Sequence, residues 1–94
     1  MNKPKRLGYV IMPTILQLNG LRIVIYSNDH RPAHVHAIGH GHEAVFRLNC
    51  PHGPPKLREN YGFSRRELER LLDGLTRNTA LLCAHWRQLH EHYD

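Results

Sequence analysis

Nine of the 94 residues are histidine, and six of the nine fall between His30 and His52. The run Asn28-Asp29-His30-Arg31-Pro32-Ala33-His34-Val35-His36 sets three imidazoles within seven residues, beside a carboxylate and a guanidinium. Imidazole gives or takes a proton near neutral pH and is the commonest metal ligand. This stretch is the working site that the sequence offers, and its side chains suit three kinds of chemistry.

The first is metal-free acid–base catalysis. Cleavage of RNA by its own 2′-hydroxyl needs one group to take a proton, one to give a proton to the leaving oxygen, and a cation to hold the phosphate. His30, His34, His36 and Arg31 supply that set as catalytic residues with no cofactor required. The second is metal binding. His-x-His on a strand lets two imidazoles converge on one zinc or other divalent transition metal, so His34 and His36 are ligands with Glu43 as the third. His40 and His42 are alternatives to Glu43, and Asp29 orients one ring from behind. The third is binding without catalysis, in which the histidines contact a partner or nucleic acid. Apart from the ligand alternative at His40 and His42, the histidines at His40, His42, His52, His85, His90 and His92 read as surface residues.

Other catalytic signatures are missing from the sequence: no glycine-rich phosphate loop, no G-x-S-x-G elbow and no H-E-x-x-H. Cys50 and Cys83 lack C-x-x-C spacing, so both are expected to be reduced and without a role. Thirteen Lys and Arg against eight Asp and Glu leave a net charge of +5 with histidine neutral. That balance favours acidic partners such as RNA, an acidic protein or an anionic substrate. Lys3, Lys5 and Arg6 sit on an N-terminal extension, residues 1–11. A larger basic group includes Lys56, Arg58 and Arg77, with Arg65, Arg66 and Arg70 as the expected binding residues. No apolar run approaches the roughly 18 residues of a membrane span, and Met1 to Gly8 is short and polar for a signal peptide. The expectation is a single cytoplasmic domain that does not enter a membrane.

The elements that must position the site read as strands first and helix afterwards. Tyr9 to Leu18 forms a first strand, joined through Asn19-Gly20, a strong type I′ hairpin signal, to a second over Leu21 to Tyr26. Ser27 to Pro32 is a loop. Ala33 to Ile38 alternates, which puts His34 and His36 on one face and Ala33, Val35 and Ala37 on the other. After a glycine turn at Gly39 to His42, Glu43 to Asn49 is the last strand, and Pro51 to Pro55 ends the sheet. Ser64-Arg65-Arg66-Glu67 is a capping box, with Phe63 and Leu68 placed as a hydrophobic staple. Leu68, Leu75, Leu82 and Leu89 then recur every seven residues along a helical stripe. Asp73-Gly74 and Thr76 to Thr79 are poor helix formers, so either one kinked helix or two helices follow. The stripe packs on the sheet, or its distal half around Trp86 pairs with a second copy as a homodimer or with a partner. The fold class is α+β, a small antiparallel sheet of three to four strands covered on one face by the C-terminal helix or helix pair.

Several stretches together resemble a known family. Met12-Pro-Thr-Ile, Gly20-Leu-Arg-Ile-Val-Ile-Tyr-Ser-Asn-Asp-His-Arg-Pro-Ala-His-Val-His-Ala, Gly41-His-Glu-Ala-Val-Phe and the late Trp86 look like the small bacterial domain family DUF4160. The resemblance runs from Met12 to about Tyr93, which sets the domain at residues 12–94. The family motif carries a second Pro and a Phe where this chain has Ala33 and Val35, and His30, His34 and His36 all match. Members often stand beside a second small family, DUF2442, which implies a toxin-antitoxin-like module. The preferred expectation is a toxin-like component acting on RNA or another phosphate-bearing partner, with a small acidic antitoxin-like partner protein.

Overall fold

The computed structural model describes residues 13–90. In chain order these form β1 (Thr14–Leu18), β2 (Leu21–Val24), β3 (His34–Gly39), β4 (His42–Arg47), β5 (Lys56–Tyr61), α1 (Arg65–Arg77) and α2 (Thr79–His90). The basic extension 1–11 and the start of the expected first strand lie outside the described residues. All strands join one antiparallel sheet in the order β1-β2-β3-β4-β5. The α+β class is as expected.

The strand count is corrected from three or four to five. Pro51 to Pro55 do not end the sheet, because Lys56-Leu57-Arg58-Glu59-Asn60-Tyr61 returns along β4. This segment carries apolar side chains only at Leu57 and Tyr61, so it shows no alternating pattern. An edge strand can be held by backbone pairing to its one neighbour, and periodicity does not register that.

Turn chemistry sets the registers. Asn19 and Gly20 both have positive φ, 52° and 80°, as a type I′ hairpin demands. His40 and Gly41 repeat the same pair of conformations, 54° and 76°, between β3 and β4. The resulting register places His36 directly opposite Val24 on one side and Val45 on the other. Directly opposite residues share a face, so His36, Val24 and Val45 lie together. The alternate residues Ile23, Val35, Ala37, Ala44 and Phe46 turn the other way into the main core.

Both helices cover that second set. Leu71 and Leu75 of α1 and Leu82, Cys83 and Trp86 of α2 are buried in the same cluster, with Leu68, Leu72 and Leu89 half-buried against it. The leucine stripe thus packs on the sheet, Trp86 included. The capping box is complete: Ser64 Oγ accepts from Glu67 N at 3.2 Å, and Ser64 N donates to Glu67 Oε1 at 2.8 Å. Of the two helical arrangements open to the sequence, the chain adopts the pair. Asn78 ends α1 by donating its side-chain amide to Gly74 O at 2.8 Å, and its own carbonyl then accepts from Leu82 N at 3.0 Å to open α2. Among the described residues no helix is long and apolar enough to cross a membrane.

The expectation that Cys50 and Cys83 are reduced is overturned, since they form a disulfide with their Cα atoms 5.8 Å apart. Thirty-three positions separate them in sequence. Only the docking of α2 against the segment after β4 brings the two thiols together.

Candidate functional site

The site forms where the loop between β2 and β3 folds back over the first residues of β3. Asp29 N donates to Tyr26 O at 3.0 Å, and Tyr26 N donates to Asp29 Oδ2 at 3.3 Å. These reciprocal bonds aim the carboxylate at the two rings that strand alternation has already put on one side.

His36 Nε2 lies 3.1 Å and His34 Nε2 3.3 Å from the same oxygen, Asp29 Oδ2. One ligand atom from each of the three residues falls within 4.8 Å of the others. The opposite nitrogens are held from behind: His34 Nδ1 is 2.8 Å from Pro32 O, and His36 Nδ1 is 2.9 Å from Glu43 Oε2. A carbonyl and a carboxylate can only accept, so both Nδ1 atoms carry the proton and donate. In a neutral imidazole the other nitrogen is then a bare acceptor. With both rings neutral, two lone pairs would face the carboxylate oxygen, a repulsion that a proton on a ring or a bound cation removes.

The surroundings are nearly dry. The side chains of His34, His36 and Asp29 are 7%, 12% and 15% exposed. Tyr26 meets His36 edge-on with ring centres 4.5 Å apart, and Trp86 of α2 lies 5.3 Å from His34. The Tyr26 hydroxyl is pushed above its ordinary pKa by burial first, then by the negative charges of Glu43 and Asp29, with Arg22 opposing them. The Glu43 and Asp29 carboxylates thus act on the Tyr26 ring from the same side as the two histidines.

The remaining sequence candidates fall in different places. His30 is exposed on the loop, outside the three-residue cluster. Arg31 lines a cavity of about 700 Å³ with Pro32, Cys50, Cys83, Trp86 and Arg87, which adjoins His34 through Pro32 and Trp86. Glu43 sits on the Nδ1 side of His36, and Asp29 occupies the Nε2 side. Arg65, Arg66 and Arg70 are exposed on α1, in the layer across the sheet from His36.

His40 and His42 attend the start of α1. His42 lies edge-on to Phe63 at 5.2 Å. The Glu67 carboxyl is held below its ordinary value by the Ser64 backbone amide first, then by the Ser64 side chain, and further by His42 and His40. His90, expected as a solvated residue at the helix end, instead stacks on Trp86 with ring centres 3.7 Å apart, and its Nδ1 approaches Trp86 O at 2.9 Å.

Sequence reasoning had no signal for the Pro32 carbonyl, the Tyr26 ring or the Trp86 ring as walls of the site. The i, i+4 spacing of Trp86 and His90 is the one pattern that could have paired those two rings in advance.

No curated protein and no solved structure matches the chain. Residues 20–87 match the model of a family described as a domain of unknown function, DUF4160, and that span covers most of the chain. By sequence and over most of its length, the chain belongs to the DUF4160 family.

Proposed function

We propose that the chain is a metal-binding protein in which His34 Nε2, His36 Nε2 and Asp29 Oδ2 hold one divalent transition-metal ion. One observation carries this reading: the three atoms converge, while both rings are fixed from behind by Pro32 O and Glu43 Oε2. Metal-bound histidines characteristically donate their second ring nitrogen to a carboxylate or a backbone carbonyl. Bonds of about 2.0–2.2 Å in a tetrahedral shell separate ligand atoms by roughly 3.3–3.6 Å. The two separations from Asp29 Oδ2, 3.1 and 3.3 Å, stand close to that span, and the two ring nitrogens lie within 4.8 Å of each other.

Two imidazoles and one carboxylate suit zinc, iron, cobalt or manganese and leave coordination positions for water and substrate. A metal so bound would lower the pKa of its water and polarise a phosphoryl oxygen, the chemistry of phosphoester hydrolysis. In this reading Asp29 is a ligand and Glu43 orients His36, the reverse of the roles suggested by spacing. A toxin-like action on RNA or another phosphate-bearing partner, implied by the family's gene setting, would run through this centre.

The test is titration of untagged, chelator-stripped protein with cobalt(II) and zinc. Uptake at one ion per chain, with the visible absorption of low-coordinate cobalt, is the expected result. Absence of uptake, or uptake unchanged in Asp29→Ala and His36→Ala, overturns the reading.

A further inference from the structure

The strand register places a second group of charged residues on the face that carries the candidate centre. His34 of β3 stands directly opposite Arg47 of β4, and Arg47 stands directly opposite Lys56 of β5. His34, Arg47 and Lys56 therefore form one row across three strands at one end of the sheet. Like charges directly opposite each other destabilise strand pairing. Among the described residues neither Arg47 nor Lys56 has a carboxylate partner to relieve this. With Asn49, Leu57 and Arg58 they line a groove of about 350 Å³, and all three cations are exposed.

The other end of the same edge strand carries Tyr61, 61% exposed and directly opposite Glu43. Glu43 bonds His36, so Tyr61 shares the face of the centre. Lys56 and Tyr61 thus mark the two ends of a track roughly 16 Å long at the strand rise of about 3.3 Å per residue. Between the two ends Glu59 pairs with Arg58 at 3.8 Å and accepts from the Tyr61 hydroxyl at 3.1 Å, which ties the cationic groove to the exposed ring. Cations for phosphates beside a ring for a base are the arrangement that holds a single polynucleotide strand. A duplex offers its phosphates but hides its base faces, and a lone phosphate would leave Tyr61 unused.

We infer that β5 and its row partner Arg47 form a binding track for single-stranded nucleic acid, with phosphates on Arg47, Lys56 and Arg58 and a base on Tyr61. This builds on the reading of the centre as one that acts on phosphoesters, and it names the substrate class. A strand laid along β5 lies two strand spacings, roughly 10 Å, from His34, with Arg47 between them in the same row.

The experiment measures fluorescence anisotropy of a short labelled oligouridylate with the full chain, in chelator, across a salt series. Because no metal is present, the outcome is independent of whether the centre binds one. Wild type is expected to bind, and Arg47→Gln with Lys56→Gln to flatten the slope of log affinity against log salt by roughly 1.4, the share of two phosphate contacts on a single strand. Lys56→Glu should weaken binding by about tenfold or more without lowering the melting temperature, since it places an opposite charge across from Arg47. Tyr61→Ala should weaken binding with the salt slope unchanged. The inference is overturned if wild type does not bind, or if a matched duplex binds as well as the single strand. It is equally overturned if affinity survives the Arg47 and Lys56 changes and falls only on charge reversal at Arg65, Arg66 and Arg70.

Discussion

His36 Nε2 and Asp29 Oδ2 lie 3.1 Å apart, and the opposite nitrogen of the same ring is 2.9 Å from Glu43. A ring clamped at Nδ1 can offer Nε2 to a metal only when Nε2 carries no proton. Metal and proton therefore compete for that nitrogen, so affinity should fall as pH is lowered from neutrality into the acid range. Calorimetry in buffers of differing ionisation enthalpy, repeated over that range, counts the protons released. An affinity independent of pH would place the metal elsewhere.

Glu43 is the partner that fixes His36 without reaching the point of convergence. Glu43→Ala should lower metal affinity by about 10- to 100-fold, as loss of a group that orients a ligand usually does. Cobalt stoichiometry should stay at one per chain. If Glu43 were itself a ligand, the variant would also change the visible spectrum of the cobalt form, so absorption and affinity together distinguish the two roles.

Glu67 links the helix cap to pH. Its folded pKa is depressed below the ordinary 4.5 by the Ser64 amide, so the stability it contributes is present above the unfolded value and lost as pH falls through the folded one. Glu67→Gln should remove that dependence. Chemical denaturation of both proteins from neutral pH downwards is expected to give curves that converge in acid, whereas a constant difference would assign the effect to the hydrogen bond alone. Ser64→Ala should cost about 1 kcal/mol at neutral pH.

The Cys50 to Cys83 bond closes a loop between positions 33 apart and ties α2 to the segment after β4. Loop-closure entropy for that separation corresponds to about 3–4 kcal/mol. Reduction, or the double change to serine, should lower the denaturation midpoint accordingly. It should also loosen Trp86, which follows Cys83 on α2 and packs against His34, so tryptophan fluorescence should respond with the midpoint. An unchanged midpoint with mass-verified reduction would show that the bond constrains nothing the fold does not already hold.

Local rules determined much of this molecule. Strand alternation was enough to turn His34 and His36 to one side, because the side-chain period of two is a property of the extended backbone. Asn19-Gly20 specified its hairpin through the need for positive φ, and Ser64 with Glu67 specified where α1 begins, since both signals act over a few neighbouring residues. The leucine period placed the buried face of the helices.

What involved residues distant in sequence, or contacts that leave no periodic mark, was decided only by the tertiary structure. β5 escaped notice because an exposed edge strand needs no alternation of apolar residues. The disulfide depends on two segments meeting 33 positions apart, and cysteine spacing alone says nothing of that. The carboxylates show the limit most clearly. Both Asp29 and Glu43 stand seven positions from His36, and spacing offered Glu43 as the ligand and Asp29 as its support. The fold put Asp29 at the nitrogen where His34 converges and Glu43 behind the ring, because the loop after Tyr26 folds back over the sheet while Glu43 sits across the β3–β4 hairpin. Which side of a ring a carboxylate reaches is set by the path of the chain, and the path is fixed only when the sheet and the loop have packed.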